Sequence, residues 1–184
     1  MSNVQHAWNQ YALVTELAAR MEGRPFGRTA LQKFTYLLQE LHGVPSGYDF
    51  PLYTYGPYSS ELSSDLDTLA AMRGVRVVPD DRQGGYLISP GSHADSIRGM
   101  GAEFLRAHDR AIADVIDVFG GMSAKELELR ATCVFADRDA RRRRHPLGRA
   151  ELTAVVHEIK PHFTPAQISA AIAELAGRGY VTPA

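Results

Sequence analysis

The stretch that decides the fold is Tyr48-Asp-Phe-Pro-Leu-Tyr-Thr-Tyr-Gly-Pro-Tyr-Ser-Ser-Glu-Leu62. Its first half alternates aromatic residues with small or polar ones, the pattern of an edge strand that tolerates Pro51. Gly56-Pro57 then forces a turn. Tyr55 and Tyr58 bracket that turn, and Ser59 or Ser60 can cap the next helix. Leu62, Leu66 and Leu69 recur at helical spacing, so a helix over about 59–73 is expected, with Gly74 as its stop.

Upstream, Trp8, Tyr11, Val14, Leu17, Ala18 and Met21 fall on one face of a helix over about 4–22, closed by Gly23 and Pro25. A second helix starts near Thr29, where Thr29 and Gln32 have capping-box spacing. Leu31, Phe34, Leu38 and Leu41 form its buried stripe, and Gly43 closes it. Downstream, Val75–Val78 and Tyr86–Ile88 flank Pro79-Asp-Asp-Arg-Gln-Gly-Gly85, which reads as a β-hairpin with a longer loop. Helix, helix, strand, helix, hairpin is the order of a winged-helix unit.

The second half reads as helical. Ser92 and Asp95 open a long helix through Phe119, carrying Phe104, Ile112, Val115 and Ile116, and Gly120-Gly121 breaks it. Ser123 and Glu126 form a capping box, and so do Thr164 and Gln167, with Pro165 at the first helical position. Between them, Leu152, Val155, Val156 and Ile159 mark a further helix that Pro161 stops. The expected fold is therefore mainly α (α+β). A winged-helix-like unit covers 1–90. A helical region, 91–184, ends in a helix-turn-helix-like pair, and the two are packed as one domain.

Composition narrows the function. The chain has 184 residues, an apolar fraction of 45% and a formal charge of −1. The apolar fraction supports a real core, and the near-neutral charge argues against a generically basic nucleic-acid binder. No apolar run reaches the ~20 residues of a membrane helix. The N-terminus lacks the order of a signal peptide, and Cys133 has no second cysteine to pair with, so a reducing cytoplasm is the expected setting.

Catalytic chemistry finds no foothold. The seven histidines show no i, i+4 metal pair, and HExxH, CxxC and phosphate-cradling glycine motifs are missing. Cys133 lies in an apolar helical stretch with no base in sight. No catalytic residue, metal ligand or cofactor is expected, and the chain reads as no enzyme. Arg141-Arg-Arg-Arg144, with Arg138 and Arg149, is the sharpest charge feature. It suits either a solvated helix end or a contact to phosphate backbone. The third helix of a winged-helix unit usually enters the major groove. Here it carries Glu61, Asp65 and Asp67 against Arg73 alone, the wrong sign for phosphates. In the hairpin Arg76 and Arg82 are offset by Asp80 and Asp81. Tyrosine, by contrast, offers large contact area with a polar tip. The tyrosines of 48–58 can therefore serve an interface, pack onto helices, or do both.

Leu31-Gln-Lys-Phe-Thr-Tyr-Leu-Leu-Gln39, followed by Tyr53-Thr-Tyr-Gly-Pro-Tyr-Ser-Ser-Glu-Leu-Ser-Ser-Asp-Leu66, resembles the YwgA family of small bacterial and archaeal proteins. More distantly it is similar to the SocA/Panacea antitoxin domain. The segment Phe163–Leu175 resembles the C-terminal end of YwgA-like chains. The resemblance implies a helical, winged-helix-like fold with no known catalytic site. It also implies action by contact with a protein, such as a toxin or a protease substrate. Where the antitoxin pattern has an aromatic element before the turn, this chain has Tyr53-Thr-Tyr55. The expected contact residues are Tyr53, Tyr55, Gly56, Pro57, Tyr58, Ser59, Glu61 and Asp65, making a regulatory, antitoxin- or adaptor-like interaction module. The alternative is a nucleic-acid-binding regulator using Arg138, Arg141, Arg142, Arg143, Arg144 and Arg149.

Overall fold

A computed structural model describes residues 3–80 and 84–184. Among these it is mainly helical, with eight helices and two small antiparallel hairpins, in keeping with the mainly α (α+β) reading. The elements begin with α1 (Asn3–Arg20), α2 (Arg28–His42), β1 (Leu52–Tyr53), β2 (Gly56–Pro57) and α3 (Ser60–Ala71). A second hairpin, β3 (Val75–Pro79) and β4 (Tyr86–Pro90), leads to α4 (Ala94–Met100) and α5 (Ala102–Phe119). The chain then closes with α6 (Ala124–Arg142), α7 (Arg149–Ile159) and α8 (Pro165–Gly177). It divides into two compact units, one comprising 1–51 and 58–122, the other 52–57 and 123–184. The boundary expected at 90 falls inside the first unit.

The first unit holds α1 to α5 and the β3–β4 hairpin. Leu13, Leu17, Phe34, Leu38, Leu62, Leu69, Ile112, Val115 and Phe119 are buried and form its core. The long helix expected from 92 to 119 is broken at Gly101. A Cβ there would lie 2.5 Å from the Cβ of Ala12, so the close seat of α1 requires glycine at the break.

Two end signals work differently from their sequence reading. Gly27 occupies the N-cap of α2 without a side-chain bond, so Thr29 and Gln32 form no capping box. The Gln32 amide instead brackets the backbone of Ser59, donating to its carbonyl and accepting from its N–H, both at 2.8 Å. At the end of α3, Arg73 rather than Gly74 takes the left-handed conformation, with φ 58°. Gly74 packs against Ile97, whose Cδ1 would lie 2.4 Å from a Cβ there and would have to move aside for any side chain.

β3 and β4 pair from Val75↔Pro90 to Pro79↔Tyr86. Phe26 runs beside β4 and accepts a bond from the Ile88 N–H at 2.7 Å. Asp81 and Arg82 of the hairpin loop lie outside the described residues. Arg76, the other hairpin arginine, points its Nε at Ser89 Oγ at 3.3 Å.

The second unit is built on α6, α7 and α8, which all pack on one another. Leu127, Ala131, Val134, Leu152, Val156, Ile168, Ile172 and Leu175 fill the space between them. Both expected capping boxes are present. Ser123 and Glu126 start α6, Thr164 and Gln167 start α8, and Pro165 stands in its first turn. The Ser123 bonds hold the Glu126 carboxyl below its usual range. The rest of this unit is the β1–β2 hairpin, two residues per strand, which packs on α6.

Candidate functional site

Two residues per strand cannot hold a hairpin in water by themselves. The segment leading in, 44–51, alternates in burial, although alternation was expected only from Tyr48 to Tyr55. Val44, Ser46, Tyr48 and Phe50 are buried, and the residues between them are exposed. Only Leu52 and Tyr53 enter a ladder, however, so the edge strand expected over 48–55 is extended chain with a short paired tip. The reversal is closed by Gly56, whose φ of 88° suits glycine. Beyond it, the Tyr58 N–H returns to the carbonyl of Pro51 at 3.0 Å.

The hairpin points two large rings outward: Tyr53 is 61% exposed and Tyr55 68%. Between them sits Thr54, whose carbonyl accepts a hydrogen bond from Lys160 Nζ. Lys160 closes α7 and is only 2% exposed, and its ammonium lies 2.8 Å from Oε1 of Glu128, itself 6% exposed, on α6. His162 brings Nε2 to 3.4 Å from the same oxygen and stacks on Phe163. The tyrosine-bearing turn is thus tied to a buried ion pair within one unit.

The residues expected to form one contact surface are dealt out differently. Tyr53, Tyr55, Gly56 and Pro57 belong to the second unit, and Tyr58, Ser59, Glu61 and Asp65 to the first. Gly56 and Pro57 are buried, and Tyr58 is half-buried. Ser59 is buried under Gln32 and caps α3 by accepting the Leu62 N–H at 3.3 Å. Glu61 is exposed. Asp65 is half-buried and accepts the Tyr48 hydroxyl at 2.8 Å. Burial pushes the Asp65 carboxyl up, against the opposing pull of that bond. Burial and the neighbouring Asp65 charge raise the Tyr48 phenol as well.

Of the arginines of the alternative reading, Arg138, Arg141, Arg143 and Arg149 have work inside the chain, and Arg142 and Arg144 are exposed. Arg138 and Arg141 both pair with buried Asp137, and they donate to the carbonyls of Tyr180 and Thr182. Arg143 pairs with Asp139 at 2.9 Å. Arg149 donates to the Ser169 carbonyl at 3.0 Å. Cys133 is buried, and burial pushes its thiol up to about 12, which leaves it a poor nucleophile. Among the described residues, no helix is long and apolar enough to cross a membrane.

Sequence reasoning missed Lys160, Glu128 and the anchoring role of Thr54. A signal was present. Lys160 falls eight residues after Leu152 and four after Val156, on the same buried stripe of α7, where a cation is out of place without a partner. The identity of that partner, a glutamate on another helix, is not encoded in spacing.

A mainly helical scaffold with two small hairpins, one of them tipped by exposed aromatic rings, defines a small mainly α (α+β) protein. The chain is similar to the uncharacterized protein YwgA of Bacillus subtilis (strain 168), with 29% identity over 118 residues, which covers 62% of this chain and 68% of that protein. This supports the likeness to YwgA read from the two motifs. No family model matches the chain.

Proposed function

We propose that this chain is a non-enzymatic interaction module that engages a protein partner through Tyr53 and Tyr55. The observation that carries the reading is the exposure of both rings at the tip of a hairpin whose turn is held from beneath. Tyrosine pairs of this kind give contact area at low entropic cost, and a fixed turn lowers that cost further. The antitoxin- or adaptor-like part of the reading comes from sequence resemblance, as does a winged-helix-like role for α1 to α3 and the β3–β4 hairpin as scaffold. A cytoplasmic setting fits a lone, buried cysteine.

The test places a photoreactive phenylalanine analogue at position 55 of the full chain in cells that make the protein. A discrete protein adduct is expected. It disappears when Tyr53→Ala is added, and it is missing when the analogue replaces exposed Glu158 on α7. Adducts of equal yield at 55 and 158, or none at 55, would remove this surface from consideration.

A further inference from the structure

Glu128 and Lys160 are the least expected residues of the second unit. An ammonium and a carboxylate are both withdrawn from water, at 2.8 Å, inside a small helical assembly with ample apolar side chains. Burying such a pair is a poor route to stability, because the desolvation cost roughly cancels the attraction. Apolar residues of similar size commonly do as well or better. What apolar residues cannot do is donate a hydrogen bond. Lys160 uses that capacity on the carbonyl of Thr54, 106 positions away in sequence, in the turn between Tyr53 and Gly56. Glu128 is the counter-charge set against that buried ammonium.

We infer that the Glu128–Lys160 pair positions the Tyr53–Tyr55 hairpin, fixing the Thr54 carbonyl and with it the direction of both rings, and is not there to stabilise the second unit. His162, half-exposed beside the same carboxylate oxygen, completes the polar neighbourhood, and Lys125 stands over the adjoining Phe163 ring at 5.5 Å. Lys160 and Glu128 touch no partner in this scheme. They act through the turn they hold, as positioning residues. The functional meaning of the device rests on Tyr53 and Tyr55 being the contact surface, but the device itself can be examined without any partner.

The experiment compares the full chain with Lys160→Met, Glu128→Leu and the double variant, reading thermal unfolding, amide exchange at Tyr53 and Gly56, and the chemical shifts of the two tyrosine rings. In the double variant the unfolding temperature is expected to stay within about 3 °C of the parent or to rise, because no charge is left unpaired. The hairpin amides should exchange about tenfold faster or more, since the local tie is gone while the unit persists. The tyrosine ring shifts should move toward those of a free peptide. A merely structural pair would lower the unfolding temperature of the double variant as much as that of either single one, and that result overturns the inference. So does a double variant that fails to fold, or one whose hairpin amides exchange at the parental rate. Accelerated exchange with no adduct at position 55 would leave the anchor standing and remove the interaction reading, so the two failures are distinguishable.

Discussion

The two hairpins of this protein solve the same problem by opposite means. β3–β4 has five residues per strand, and Val75 and Ile88 are buried beneath it. Phe26 adds a backbone bond along its edge, and Gly27 leaves room for that approach, since a Cβ there would meet the Tyr86 carbonyl at 2.6 Å. Ladder and apolar burial suffice. β1–β2 has two residues per strand, and its two largest side chains, Tyr53 and Tyr55, face solvent. With so little ladder it is held by packing on α6 and by a charged donor reaching its turn. The lesson is that a hairpin with so short a ladder needs its anchor from elsewhere, whereas the longer β3–β4 ladder can carry a half-exposed Tyr86. The anchor here is polar, so it fixes direction more than it adds stability.

The comparison is broken most forcefully at the polar anchor. Lys160→Met alone leaves Glu128 buried without its cation and is expected to cost about 3–5 kcal/mol in urea unfolding. A cost near zero would mean that the carboxylate finds water or another cation easily. The matching change under the apolar hairpin, Ile88→Ala, should cost about 2–4 kcal/mol through the cavity it leaves. It should not alter amide exchange at Tyr53 and Gly56, which lie in the other unit.

Finer tests sharpen the contrast. Gly56→Ala forces a side chain into a left-handed turn position and is expected to cost about 1–2 kcal/mol, with the loss confined to the hairpin tip in hydrogen exchange. The smallest effect belongs to Asp65→Asn, beside the chain segment that leads into the hairpin. The Asp65 carboxyl is raised by burial, so the folded state holds its proton more tightly than the unfolded one. The stability this brings is full at pH below the ordinary aspartate range and fades as pH climbs through the raised value. Asn keeps an acceptor for the Tyr48 hydroxyl and removes the titration. The stability difference between parent and variant should therefore shift in favour of Asn as pH rises from about 4 toward neutrality, followed by denaturant midpoints across that range.

Much of the chain was legible. The capping boxes at Ser123 and Thr164 were readable because both partners lie three residues apart in sequence. The alternation that starts at Tyr48 was readable because it has a fixed period, but in burial it holds only as far as Phe50. The misreadings share a cause: each depended on a neighbour distant in sequence. Gln32 looked like half of a local cap, but its amide was claimed by Ser59, 27 residues on. The helix from 92 carries no breaker stronger than Gly101, and the close approach of Ala12 to that glycine is not visible in the spacing. Arg138 and Arg141 meet Asp137 and the carbonyls of 180 and 182, partners that the run of arginines does not itself disclose.

From its sequence alone this protein is fixed as mainly helical, with a glycine-proline turn between two helices and no recognisable catalytic motif. Helical periods, caps and turn residues act over a few positions, so they survive being read in one dimension. Only the tertiary structure decides that Tyr53 and Tyr55 stand outward, that they belong with residues 123–184, and that a buried ammonium holds the turn between them. Those facts are set by which side chains meet after the chain has collapsed, and a charge buried on one helix finds its counter-charge on another only in three dimensions.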